Sequence, residues 1–272
     1  MYPPLKRNSE LMTREEELFR HRLLDLADTA WKRNIVTFTD FLNLNEQNIY
    51  HDTQPELSFL ESRMSGGYEC AERQMVAFIP DALSYEENFS PEATDRLFPI
   101  RCLVIRPQNP RFAETLSHRD YLGSLMNLGI DRGKLGDIVI QNQEAFLFCE
   151  EKMAEYLTGK LTRVRHTAVV CEESEQGIRN WKPKLEEISG TVASVRLDAL
   201  LSLAFRASRS SLSGLIEGGK VFVNGRLVTG NGFHPREGDI VSVRGYGRFR
   251  YCGVSANTTK KGRYYVKLEK YV

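Results

Sequence analysis

The chain has 272 residues, 37 Lys+Arg against 36 Asp+Glu for a formal net charge of +1, and 41% hydrophobic residues. That length suits two or three domains, and the composition is that of a soluble globular chain, which excludes disordered and fibrous classes. No run of about 18 apolar residues occurs, so no membrane span is expected, and the start, MYPPLKRNSELMTREEELFR, shows no apolar secretory signal.

Residues 10–33 are rich in helix formers, with Leu18, Leu23, Leu24 and Leu26 available for a buried face. A loop with aromatics follows at Phe38–Leu42, and residues 43–75 read as short helices and turns broken at Gly66-Gly67. Residues 1–75 are therefore expected to form a mostly helical first domain. From there strand and helix signals alternate. Met75–Ile79 and Ile100–Arg106 are predicted strands, and His118–Leu128 a helix closed by Gly129. Asp137–Ile140 and Ala145–Cys149 are strands, Glu151–Leu161 a helix and Val164–Val170 a strand. The order βαββαβ predicts a ferredoxin-like or RRM-like domain over 76–171. Phe146 and Phe148 lie at i and i+2 on its third strand, where RNA-recognition domains stack bases. The basic-Gly-aromatic lead-in is absent, so core packing competes with base stacking there. Residues 172–190 read as a polar linker, and 191–272 as a final domain closed by a hairpin of Tyr251–Val254 with Tyr264–Leu268.

The near-neutral net charge conceals an asymmetry. Residues 182–272 hold 16 Lys+Arg and 7 Asp+Glu, a net of +9, whereas residues 1–181 hold 21 and 29, a net of −8. A basic module on an acidic body is the footprint of nucleic-acid binding. Within it, Leu197, Leu200, Leu201 and Ala204 form one helical stripe with Asp198 in the first turn. Ser208 reads as the N-cap of a second helix that buries Leu212, Leu215 and Ile216 and ends at Gly218-Gly219. Lys220–Val223 alternates as a strand, and Asn224-Gly225 marks a hairpin. The free N–H groups at the second helix start favour phosphate. Arg196, Arg206, Arg209, Lys220 and Arg226 are the side chains expected around it, with Ser208, Ser210 and Asn224 as polar contacts. Arg248 and Arg250, in GYGRFRY, are a secondary candidate pair.

RLDALLS, SRS, LIEGGKV and VNG in this stretch resemble the S-four RNA-binding domain. Four further segments extend the resemblance over the chain: FTDFL at Phe38–Leu42, GGYECAER at Gly66–Arg73, LGSLMNLGIDRGKLGDI at Leu122–Ile138, and VRGYGRFRY at Val243–Tyr251. In this order they resemble the YlmH family of S-four proteins. The resemblance implies an α+β chain of three modules: a helical first domain, a middle RRM-like domain and a C-terminal S-four domain. It also implies a non-enzymatic role on the large ribosomal subunit, contacting rRNA and tRNA, in quality control of stalled translation, with some members encoded beside cell-division proteins.

An RNA-modifying enzyme is the alternative, because pseudouridine synthases use an aspartate in a triplet like Arg196-Leu197-Asp198. Here that triplet opens a helix and no synthase-sized domain follows. Gly245-Tyr246-Gly247 precedes no helix, so it does not suit a methyl-donor loop. The five histidines lack metal-ligand spacing. The five cysteines (Cys70, Cys102, Cys149, Cys171, Cys252) are scattered without a CxxC and read as free thiols in a reducing cytoplasm. The expectation is a cytoplasmic, monomeric RNA-binding protein without cofactor, metal or catalytic residue.

Overall fold

The computed structural model describes residues 12–84, 97–174, 183–258 and 262–272, without the side chains of 84, 209–211, 213 and 256–258. One compact unit is Met12–Trp181; the described part of the other lies in Lys182–Val272. Among the described residues no helix is long and apolar enough to cross a membrane.

The first unit opens with helix α1 (Arg14–Arg33). The Thr13 hydroxyl accepts the Glu16 N–H at 3.2 Å and the Glu16 carboxylate accepts the Thr13 N–H at 3.0 Å, a reciprocal capping box. Its buried stripe is Leu23, Ala27 and Ala30, whereas Leu18 is exposed. Strand β1 (Thr37–Phe38), helix α2 (Leu44–Thr53) and strands β2 (Glu61–Ser65) and β3 (Met75–Ile79) follow. The strands form a sheet in the order β1-β3-β2. The first module thus carries a three-stranded sheet beside its helices, and Met75–Ile79 is the central strand of that sheet rather than part of the sheet of the middle domain. The reason lies in the residues of β3. MVAFI is apolar throughout, so it can be buried on both faces of a central strand. Val76 and Phe78 face a core with Leu23, Ala27 and Ile49, while Met75, Ala77 and Ile79 face a second core.

After a helical turn α3 (Asp81–Ser84), the middle module follows the predicted order. It comprises β4 (Ile100–Pro107), α4 (His118–Asn127), β5 (Leu135–Gln141), β6 (Glu144–Glu150), α5 (Glu151–Lys160) and β8 (Thr167–Glu173). All pairings are antiparallel and the strand order is β5-β6-β4-β8, the ferredoxin-like arrangement. A short strand β7 (Arg163–Val164) hairpins onto β8 through Arg165 at φ 51°, so the single strand expected over Val164–Val170 is two. Helices α4 and α5 cover one face, around Leu103, Ile105, Leu125, Leu147 and Leu157. The other face, with Val139 and Phe148, packs on Phe41, Met75, Ala77 and Ile79. The unit is therefore layered helix, sheet, sheet, helix.

The second unit is one sheet with two helices. Strand β9 (Leu185–Val192) precedes α6 (Leu197–Phe205) and α7 (Arg209–Glu217); then come β10 (Val221–Val223), β11 (Arg226–Leu227), β12 (Ile240–Val243), β13 (Gly247–Thr258) and β14 (Tyr264–Tyr271). The order is β11-β10-β12-β13-β14-β9. Residues 185–190, expected as linker, are strand. Strand β9 as a whole pairs with β14 over eight positions, from Leu185↔Tyr271 to Val192↔Tyr264. Polar alternation in LEEISGTV hid this edge strand, whose buried positions include Ile188 and Val192. Leu197, Leu200, Leu201, Leu212 and Ile216 of the helices pack on Val221, Val223, Val241 and Phe249.

Candidate nucleic-acid interface

The start of α6 is fixed from two sides. The Leu197 N–H donates to the Phe233 carbonyl at 2.8 Å. The Arg196 guanidinium donates Nε and Nη2 to the two carboxylate oxygens of Asp198, at 3.1 and 3.0 Å. The Asp198 side chain is 8% exposed and that of Arg196 is 44% exposed. This two-point fork holds Arg196 in a fixed pose with its outer edge in solvent. Arg206 ends α6 in the left-handed conformation, φ 50°, and its exposed side chain meets Glu186 of β9 at 3.1 Å. Ser208 lies immediately before α7 and its carbonyl accepts the Leu212 N–H at 3.2 Å, the position expected of a helix cap. Arg209 and Ser210 form the first turn of α7, and their side chains lie outside the described part of the chain.

The Asn-Gly hairpin forms as expected. Asn224 and Gly225 have φ 49° and 76° between paired Val223 and Arg226, the two positive values of a type I′ turn. However, the Asn224 side chain is used inside the module. Its Nδ2 donates to Asp239 at 2.8 Å and its Oδ1 accepts the Ile240 N–H at 2.9 Å. The exposed Asn224 amide thus braces the turn from within.

The basic side chains expected to encircle the α7 start do not share one face. Arg226 stands opposite Val223, a core residue, and so shares the helix-bearing side of the sheet. Lys220 is in phase with Phe222, on the other side, and its carbonyl accepts the Arg244 N–H at 3.0 Å. Arg244, which the sequence reading omitted, is exposed and lays its guanidinium on the Phe222 ring, 5.1 Å from the centroid. Arg248 stacks on the Tyr271 ring at 4.4 Å, and Arg250 donates to the Tyr271 hydroxyl at 3.2 Å and faces Glu269 at 3.7 Å. Lys270 lies 5.3 Å above the Phe205 ring. The aromatic faces under Arg244, Arg248 and Lys270 support these cations, whereas Arg250 is paired with Glu269. Arg244 lies in the turn just after β12 and Lys270 on β14, and their aromatic partners, Phe222 on β10 and Phe205 at the end of α6, are brought beside them only by the fold.

The middle module resolves the other candidate pair. Phe148 is 2% exposed, stacked on Tyr68 with ring centroids 4.8 Å apart, and Phe146 is partly buried against the same core. The sheet face that would stack bases is therefore occupied by the first module, so Phe146 and Phe148 are packing residues. The same junction absorbs three of the sequence segments singled out above. Asp137 accepts from the Tyr68 hydroxyl at 2.7 Å and from the N–H groups of Glu72 and Arg73 at 2.7 and 3.1 Å. The Arg73 guanidinium donates to the carbonyls of Leu135, Phe41 and Arg132. Burial lowers its pKa, as it lowers that of Arg132 to about 10. Lys134 bridges Asp40 at 2.8 Å and Glu150 at 2.7 Å. Burial alone would lower its pKa, but the hydrogen bonds to these two carboxylates outweigh that and raise it. Gly136 fits here because a Cβ would lie 2.7 Å from the Phe41 ring. FTDFL, GGYECAER and the GIDRGKLGDI end of the third segment are thus the two sides of one packed joint.

No group of His, Cys, Asp and Glu among the described residues could hold a metal ion. Burial pushes the Cys102, Cys149 and Cys171 thiols up to about 12, which leaves them without thiolate character at neutral pH.

Comparison with known proteins agrees with this architecture. Residues 92–177 match the family model "Putative RNA-binding domain in YlmH", and residues 195–241 match the S4 domain. The chain is 31% identical over 261 residues to the Ribosome-associated protein quality control protein P2 of Bacillus subtilis (strain 168), covering 94% of this chain and 96% of that protein. A solved structure, cell division protein ylmH from Streptococcus pneumoniae, aligns at 23% identity with a TM-score of 0.47 over 61% of this chain and 94% of its own. The chain is a member of the YlmH family, with a C-terminal S-four domain and the mixed α+β build found here.

Proposed function

We propose that this chain is a non-enzymatic RNA-binding protein of the cytoplasm that acts as a monomer on the large ribosomal subunit. There it holds rRNA or tRNA during rescue or quality control of stalled ribosomes. The observation that carries the reading is the S-four module itself. Residues 182–272 have a net charge of +9, and Arg206, Lys220 and Arg244 stand in solvent around two short helices and a tight hairpin. The ribosome-associated relative supports the site of action. Contacts of this kind go to phosphates and shape and need no cofactor or metal. The pinned, buried carboxylate of Asp198 supports a structural role for the RLD triplet, and no observation favours the enzymatic alternative.

The test is sedimentation of the purified chain with separated large and small subunits over a salt series. Binding should favour the large subunit and fall steeply with salt, since neutralised phosphates release counterions. Alanine at Arg206, Lys220 or Arg226 should each lower the log–log salt slope by roughly 1. Equal binding to both subunits, or slopes untouched by all three substitutions, would overturn the reading.

A further inference from the structure

The middle module carries a groove on its helical side, away from the covered sheet face. Arg119, Gly123 and Asn127 of α4 form one wall, and Lys160, Arg163 and Arg165 at the end of α5 and around β7 form the other. Its volume is about 510 Å³.

The charges of this module are sorted. Arg101 is paired with Glu151 and Glu173, and Arg106 with Glu144 and Glu172. In the groove the balance is different. Arg119, Lys160 and Arg163 are exposed and have no acidic partner among the described residues. The one acid in the groove, Asp120, is taken up by the Ser117 hydroxyl and N–H at 2.7 and 2.8 Å and by Arg165 at 3.5 Å. Three cations without an acidic partner among the described residues, and an arginine paired with Asp120 and Glu114, thus line a single concave surface. The floor is small: a Cβ at Gly123 would meet nothing within 4 Å, so a backbone can approach the helix closely. Glu114 accepts the His166 N–H at 3.2 Å and meets Arg165 at 3.9 Å. Cations along a concave groove are what a nucleic-acid backbone requires.

We propose that this groove is a second RNA-backbone site, through which the middle module holds RNA by its helical side instead of its sheet. It rests on the RNA-binding reading above and adds to it the surface used by the middle module.

The test uses the full chain and, as probe, RNA extracted from large ribosomal subunits and labelled with 4-thiouridine. The triple variant Arg119→Ala/Lys160→Ala/Arg163→Ala should bind about ten-fold more weakly near 0.15 M salt, with a salt slope reduced by about 2 to 3. Crosslinked peptides from residues 118–128 or 157–166 should disappear with it. Gly123→Glu places a negative charge in the groove at a position where the added Cβ meets nothing within 4 Å. Glu also suits a helix better than Gly, so affinity should fall several-fold while the melting temperature holds or rises. Gly123→Lys should bind as tightly as the parent or more so. Parent-like affinity and slope in both the triple variant and Gly123→Glu would overturn the proposal. A parallel Arg206→Ala/Arg226→Ala variant separates the two failures. If it binds weakly while the groove variants bind normally, only the groove is excluded. If it too binds normally, the RNA-binding reading fails with it.

Discussion

The Tyr68 and Phe148 rings stack 4.8 Å apart at an interplanar angle of 22°, one from each module of the first unit. A sheet that in related folds lies open to bases is here the inner wall of a packed joint. Phe148→Ala should therefore destabilise the protein by about 3–5 kcal/mol, as for other large-to-small core changes. Urea unfolding measures this. RNA affinity of the folded fraction should stay unchanged; a selective loss of RNA binding at native stability would return Phe148 to the interface.

Asp137 accepts three hydrogen bonds across that joint. Asp137→Ala strands their donors and should cost about 1.5–3 kcal/mol, with Tyr68→Phe near 1 kcal/mol. Because the first and middle modules share one core, the loss should appear as a lower midpoint of a single transition for residues 12–181. Two separated transitions would show that the joint was not cooperative.

Much of this was legible in the sequence. The βαββαβ order, the two S-four helices and the Asn-Gly turn follow from local patterns that depend on few distant contacts. What stayed hidden depended on pairing partners. MVAFI is equally good as the first strand of one domain or the middle strand of another until its two buried faces find Phe41 and Leu23. LEEISGTV looks like linker until Tyr264–Tyr271 pairs with it. For the site, residue type gave the basic cluster, but strand phase separated Lys220 from Arg226, and the two side-chain bonds by which Asn224 braces its turn depend on Asp239 and Ile240, distant in the chain.

Asn224→Ala should lose both of those bonds and strain a positive φ, a cost of about 1–3 kcal/mol. Asn224→Gly should recover part of it, since glycine accepts that conformation. Thermal unfolding ranks the three proteins. Neither variant should change the salt slope of RNA binding, and a slope lowered in both would make Asn224 a contact after all.

The thiols of Cys149 and Cys171 are buried and held near 12. A disulfide reagent at pH 8 should modify them only as fast as the protein opens, and urea should release them together as the unit Met12–Trp181 unfolds. Rapid modification of Cys149 in the native protein would refute its placement.

The Asp120 carboxyl lies below its ordinary value of 3.8, chiefly through the hydrogen bonds of Ser117, with Arg165 adding to the effect. A depressed carboxyl stabilises the folded state above its unfolded pKa, and this contribution is lost as pH falls through the folded value. Ser117→Ala should flatten that acid loss and lower stability near neutrality, to be read from melting curves between pH 2.5 and 7. An unchanged acid limb would mean that Asp120 is not held there.

The pairing of β9 with β14 also orders events during synthesis. The unit Met12–Trp181 can close as soon as it emerges, but β9 has no partner on its β14 side until the last strand is made. Val192 and Tyr264 are paired neighbours in the sheet yet far apart in the chain. At the usual elongation rate of about 5–20 residues/s, β9 waits roughly 4–15 s with its edge open. Glu186 and Glu187 on that strand repel the negative surface of RNA and discourage stray strand pairing. The RNA-gripping module is thus the last part of the newborn chain to become competent, after its acidic body has already folded.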